Sequence, residues 1–463
     1  MLKNYLIMPC PQCCGFTQEN PHGAYFVSKL KLAGCTAITL LTTLAFAQDA
    51  PAAPVVDKGD SVWLLVATSL VLLMTPALAL FYGGMVHKKN VLNTMLMSFV
   101  MMGIVSLVWV LIGYSLAFGK SSNGFIGSLE YALGQNISLT TPYGTQTIPA
   151  ALFMLFQMKF AIITPALISG AIAERMKFRG YVIFMTLWSL VVYCPAACWV
   201  WNPDGWLCKL GALDFAGGTV VHLASGVSAL ALCIVIGKRK NVAPPPNNIT
   251  LTLLGAGMLW FGWFGFNAGS ALAMNDVAIN AFLTTHLAAA AAMLSWLIAE
   301  KLKSGKMTAI GGASGLVAGL VAITPACGFV DITGGIFIGL LSGVICYFAI
   351  QLKHKLGYDD ALDVVGVHGV GGCFGAIATG IFATTAVNTA VTEVALKDGR
   401  MGLIVKQLIA IGAVGALALI GTFVLAKIVQ TTVGLRADDN AEELGMDEVV
   451  HGESGYGLNP LGV

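Results

Sequence analysis

His222 and His368 lie in long apolar segments, and each follows an aspartate by eight residues. The first stretch reads Asp214-Phe-Ala-Gly-Gly-Thr-Val-Val-His222, the second Asp360-Ala-Leu-Asp363-Val-Val-Gly-Val-His368. A lone histidine on an apolar face is usually a bonded core residue. Inside a membrane span that reading weakens, because an ionisable side chain there is costly and tends to mark a pathway. Two at matched positions point to a duplicated frame with a site at its centre. Imidazole nitrogens donate and accept protons, which suits a lone-pair substrate or a proton relay. Two histidines without an inward carboxylate make a poor metal site. Axial haem ligation has no other feature to support it. Asp214, Asp360 and Asp363 sit where the apolar segments begin. A carboxylate there caps the exposed N–H groups of a helix and meets its dipole, so they read as structural support.

Aromatic residues form a second group. Phe156-Gln157-Met158-Lys159-Phe160, Trp201, and Trp260-Phe-Gly-Trp263-Phe-Gly-Phe266-Asn-Ala-Gly-Ser270 come from three separate apolar segments. Their bland reading is an interfacial belt. Gathered around one point, with Ser270 beside them, the rings would cage a small cation. Lys159 is the odd residue, a lysine that must snorkel outward or face a polar cavity.

The elements that must carry these residues are membrane helices. The 463 residues are 57% hydrophobic and 10% charged, against about 25% charged in a soluble domain. Charged residues cluster in islands between apolar runs of spanning length, which gives a polytopic all-α membrane protein and excludes a barrel. The net charge of +2 is spread over several loops and gives no nucleic-acid footprint. No nucleophile–base set, phosphate loop or cofactor motif is evident, so no enzyme is expected. Lys29 and Lys31, the apolar run 32–44 and Ala45-Phe46-Ala47 read as a secretory signal peptide. The expected layout is an extension and signal peptide over 1–47 and an outer linker over 48–61. A transmembrane domain follows over 62–430, with an inner tail over 431–463.

Eleven spans are expected, at 62–82, 91–118, 148–172, 180–200, 214–236, 250–272, 277–299, 308–325, 332–351, 364–386 and 402–429. A cleaved signal puts the N-terminus outside, and an odd number of spans puts the C-terminus inside. Loop charge agrees: 15 of the 25 lysines and arginines fall on predicted inner segments, among them Arg175, Arg239, Lys301 and Arg436. Spans one to five and six to ten then become inverted five-helix repeats, with the eleventh added. Each histidine lies about 12 Å into its span, one from the outer face and one from the inner. Both reach the middle of a core about 30 Å thick.

Four motifs now carry a resemblance: the stretch Gly211–His222, Trp263-Phe-Gly-Phe-Asn-Ala-Gly-Ser270, Thr324-Pro-Ala-Cys-Gly328 and Gly366-Val-His-Gly369. In this order they resemble the ammonium transporter family (Amt/Mep/Rh), in its bacterial Amt branch. The match runs from about residue 60 to Gly455. It implies a homotrimer in the bacterial inner membrane, working in nitrogen uptake, each subunit with its own narrow pore. By position, Trp201, Phe156, Phe160 and Ser270 would form an outer ammonium site, and Phe160 and Phe266 a stacked gate below it. His222 and His368 would line the pore as a bonded pair, and Asp214 would support the outer site. The segment between Trp201 and Asp214 is one residue longer than the family pattern, which leaves Trp206 as the alternative. Lys159 replaces an uncharged residue and is expected to face away from the pore.

Gly434-Leu-Arg436 to Tyr456 resembles the family's regulatory tail, which with the inner loops receives a PII signalling protein in many members. The acidic run from Asp438 to Glu448 is otherwise a solvated end. The resemblance implies recruitment of ammonium at the aromatic site, its deprotonation, conduction of ammonia past the histidines and possible separate transfer of the proton. An ammonium sensor and an Rh-like gas channel are the competing readings.

Overall fold

The computed structural model describes residues 54–240, 245–391 and 395–456. The expected signal peptide and extension, 1–47, lie outside the described residues, as do 48–53 of the linker and 457–463 of the tail. Outer and inner below follow the loop-charge assignment.

Among the described residues every regular element is helical and no strand occurs. Ten helices are long and apolar enough to cross a membrane. In chain order they begin with α1 (Lys58–Met85), α2 (Lys88–Phe118), α3 (Ala150–Ile172), α4 (Phe178–Leu210) and α5 (Gly218–Ile236). After them come α6 (Ile249–Ala271), α7 (Asp276–Ser304), the shorter apolar α8 (Ala309–Ile323) and α9 (Ile332–Leu356), then α10 (Val365–Phe382) and α11 (Gly399–Thr432). With α8 the count reaches the eleven expected. At about 1.5 Å per residue α8 is roughly 22 Å long, short of a full crossing. It stops before Thr324-Pro325, where the proline has no N–H with which to continue the helical bonds. The chain continues in buried turns to Val330.

Several starts are set by side chains that accept otherwise unpaired N–H groups: Asn248 for α6, Asn275 for α7, Thr308 for α8 and Asp331 for α9. Among the described residues four of the membrane helices carry a π turn: Trp109–Gly113 in α2, Ser189–Tyr193 in α4, Gly218–Leu223 in α5 and Val365–Val370 in α10. The last two contain His222 and His368. Each five-helix block thus ends in a helix with a widened turn at its histidine.

The two histidine helices meet at glycines. A Cβ on Gly226 would lie 2.1 Å from the Gly369 amide nitrogen. One on Gly372 would lie 3.0 Å from the His222 Cβ. Without a hydrophobic drive between helices in lipid, such close backbone approach is what holds a crossing.

The tail leaves Asp438, Asp439 and Glu443 exposed but is tied back to the helices at several points. Its short helix α12 (Asp439–Leu444) follows Arg436, which forms a two-pronged pair with Glu442 at 2.8 and 3.0 Å. Asp447 then accepts the N–H groups of Leu92 and Asn93 at 3.0 and 2.8 Å, capping α2 from a distance. Burial pushes its carboxyl up despite those bonds. His451 meets the Asn93 side-chain oxygen at 3.0 Å. Beside the tail, Arg239 bridges Glu174 at 2.7 Å and Asp359 at 2.8 Å. Burial works to raise the Asp359 carboxyl, but the Arg239 guanidinium outweighs it and the net shift is downward.

Candidate functional site: an aromatic vestibule above two histidines

On the outer side α3, α4 and α6 converge on a cavity of about 210 Å³. Phe160, Trp201 and Ser270 line it, with Phe153, Gln157 and Phe215. Trp201 is fixed by its ring N–H, which donates to the Asp214 carbonyl at 3.0 Å, and its ring stands edge-on to Phe160 at 5.8 Å. Trp206 packs elsewhere, against Phe125 and Trp199. Of the two tryptophans left open by loop length, only Trp201 faces this cavity. The Ser270 hydroxyl donates to the Phe266 carbonyl at 2.8 Å, which turns its lone pairs toward the cavity as acceptors. Gln157 Oε1 is buried and has no partner among the described residues.

Phe156 departs from expectation. It is fully buried behind Phe160, edge-on at 5.0 Å, and is not part of the cavity wall. Gly269 makes the room, since a Cβ there would sit 3.0 Å from the Phe156 ring. The wall position falls to Phe153, which stacks on Tyr143 from the outer loop at 3.7 Å. Lys159 lines neither cavity. It is buried at 8% exposure, and among the described residues its ammonium meets Met158 Sδ, at 3.7 Å.

Phe160 and Phe266 close the vestibule floor, their ring centres 4.3 Å apart and tilted by 38° instead of parallel. Below them His222 is flanked by Trp263 at 5.4 Å and Phe266 at 6.0 Å. The Trp263 N–H is turned away, onto the Thr324 hydroxyl at 2.9 Å. His222 Nδ1 and His368 Nδ1 are 3.1 Å apart. One must donate and the other accept, so both rings cannot carry a second proton in this geometry. His222 Nε2 is buried without a partner among the described residues. The lumen around the pair is about 10 Å³ and otherwise apolar, with Leu78, Ile163, Leu259 and Val317 among its walls. That is the lower limit for holding one water.

The aspartates occupy unlike settings. Asp214 accepts the N–H groups of Gly217, Gly218, Thr219 and Val220 at 2.6–3.2 Å, together with the Thr219 hydroxyl. Asp360 accepts Val365 N–H at 2.7 Å through one oxygen. Asp363, expected as a further cap, gives its carboxylate to Lys353. Its backbone is left-handed at φ +64°, which turns the chain before α10 and leaves the capping position to Asp360.

A family model described as Ammonium Transporter Family matches residues 62–456. The chain belongs to the ammonium transporter family. An ammonium transporter of Bacillus subtilis strain 168 is 51% identical over 402 residues, covering 86% of this chain and 99% of that one. Ammonium transporter Amt1 of Archaeoglobus fulgidus is 46% identical, over 86% and 100%. Among solved structures, Saccharomyces cerevisiae Mep2 superposes with a TM-score of 0.77 at 38% identity, covering 83% of this chain and 88% of that one. A structure titled Sensor Amt Protein has the same TM-score at 29% identity, over 84% and 97%. The chain is thus a multi-pass membrane protein of a family of transporters. Phe153, Gln157 and Phe215 escaped the sequence reading of this family member. Gln157 lies within the aromatic motif, but nothing in its spacing separates a cavity-facing amide from a packed one.

Proposed function

We propose that this family member takes up ammonium by splitting it at the gate. The observation that carries the reading is the directly bonded histidine pair, set in an apolar lumen of about 10 Å³ beneath two closed phenyl rings. The vestibule receives the cation. Ring faces of Phe160 and Trp201 attract its charge, and Ser270 and Gln157 offer oxygen acceptors. An intact ammonium ion has no place beyond the gate, because stripping its water in an apolar lumen is prohibitively costly. Ammonia, once the proton is left behind, passes with its lone pair toward the imidazoles. The proton crosses separately: His222 takes it at Nε2 and releases its Nδ1 proton to His368. Potassium has no proton to lose and is refused. Asp214 holds Trp201 and the start of α5 in place.

The matched histidine helices support the inverted-repeat frame. The reading includes a homotrimer in a bacterial inner membrane, made with a signal peptide, and a tail that meets a PII-type protein. Likeness to the Sensor Amt Protein keeps a sensing role as the second reading. Flux separates the two. In proteoliposomes an inward ammonium gradient should drive saturable uptake, and an equal potassium gradient none. Binding without flux would favour the sensor, and equal potassium flux would sink the gate mechanism.

A further inference from the structure

Asp360 does more than a cap requires. Its side chain is 1% exposed, and Oδ2 accepts the Val365 N–H. Oδ1 is buried with no partner among the described residues. Lys353, the cation beside it, is already committed: its ammonium donates to the Asp360 main-chain carbonyl at 2.8 Å and pairs with Asp363. A buried carboxylate left half-bonded costs free energy that a well-placed cap such as Asp214 avoids. Such a group is better accommodated with a proton on it.

Its position connects it to the lumen. The Ala361 N–H donates to the Ala171 carbonyl at the inner end of α3. Four residues before Ala171 on α3, the Leu167 carbonyl accepts the Tyr82 hydroxyl, and Leu167 lines the lumen. Asp360 bonds the Val365 N–H in the first turn of α10, and His368 stands three residues further along that helix.

We infer that Asp360 is the acid at the inner end of the lumen that returns a proton to ammonia as it leaves. This rests on the ammonia-conduction reading above. In the step, the Asp360 O–H bond breaks and an N–H bond forms. Ammonia and carboxylic acid become ammonium and carboxylate. The carboxylate then takes up the proton delivered through the histidine pair, so each cycle closes without a further reactant.

The surroundings suit this exchange. Burial first, then the charge of Asp363, push the Asp360 carboxyl up to about 6, while Lys353 and the Val365 and Val364 N–H groups oppose them. The other titratable groups facing it are Tyr358 in the same loop, Tyr82 on α1 and Cys233 on α5. Arg175 touches Cys233 but spends its guanidinium on the Asp359 and Gly237 carbonyls.

Asp360→Asn tests the assignment. The amide oxygen can still accept the Val365 N–H, but the side chain can no longer pass on a proton. In proteoliposomes the variant should keep its preference for ammonium over potassium and lose at least about tenfold in uptake. Its dependence on internal pH between 5 and 8 should flatten. Wild-type uptake with an unchanged internal-pH profile would overturn the proposal. A second readout needs no variant: infrared difference spectra of the wild type should show a buried protonated-carboxyl band that titrates near pH 6 and falls when ammonium is added. Absence of that band would equally overturn it. The underlying reading fails separately, if removing both histidines leaves selectivity intact.

Discussion

Asp214 and Asp360 open matched helices eight residues before a pore histidine, yet the two halves treat them oppositely. In the outer half the carboxylate accepts five hydrogen bonds and anchors the loop that holds Trp201. In the inner half one oxygen accepts the Val365 N–H at the start of the helix, and the other is buried with no partner among the described residues. Duplicating a frame duplicates positions without duplicating environments. The outer copy has become scaffold, and the inner copy keeps its proton chemistry.

The histidines are where the halves converge, so the largest effect comes from driving them apart. Gly226→Val would push a side chain into the Gly369 backbone, where even a Cβ lies at 2.1 Å. We expect ammonium uptake to fall to background, or the folded protein to be lost from the membrane fraction. Near-normal uptake would mean that the crossing does not set the pair. Asp214→Ala comes next. It strands four buried N–H groups and should cost about 3–5 kcal/mol, read as a fall in the thermal midpoint in detergent. Asp360→Asn should leave that midpoint far less affected. Equal losses at the two positions would erase the contrast between the halves.

Acidity sharpens the contrast further. The folded state holds the Asp360 proton more tightly than the unfolded chain does. Its contribution to stability is therefore complete below about pH 4 and is lost as pH rises through about 6. The change is about 3 kcal/mol at most. Thermal midpoints should decline over that range in the wild type, and the decline should shrink in Asp360→Asn. The smallest effect belongs to the vestibule wall. Gln157→Leu removes an acceptor that faces the cavity, and half-saturation for ammonium uptake should rise about three- to tenfold, as for loss of one hydrogen bond. An unchanged value would place the amide outside the recognition surface.

Much of this was legible in sequence, because a membrane penalises polar groups so heavily that the few it keeps stand out. His222, His368 and the span pattern emerged from that contrast alone. Ring pairing at Phe160 and Phe266 followed from family resemblance, and the structure adds their 38° tilt. Other features carry no one-dimensional signal. The π turns at both histidines depend on how neighbouring helices press on the chain. Phe156 and Phe153 differ by one turn of α3 and both are buried, but the gap at Gly269 takes in Phe156 and leaves Phe153 to line the vestibule. The alternative of a solvated acidic tail fits the exposed Asp438 and Asp439 but not Asp447, which reaches two N–H groups more than 350 residues away in sequence. The unlike bonding of Asp214 and Asp360 was hidden for the same reason: identical spacing, different partners.

The account stands or falls on the bonded pair that joins the halves. Electrical current and isotope uptake can be recorded together from proteoliposomes given ammonium or potassium pulses, with wild type beside the His222→Ala, His368→Ala double variant. The account predicts ammonium current without potassium current in the wild type, and loss of that discrimination in the variant. A double variant that carries ammonium at the wild-type rate and still refuses potassium would contradict it.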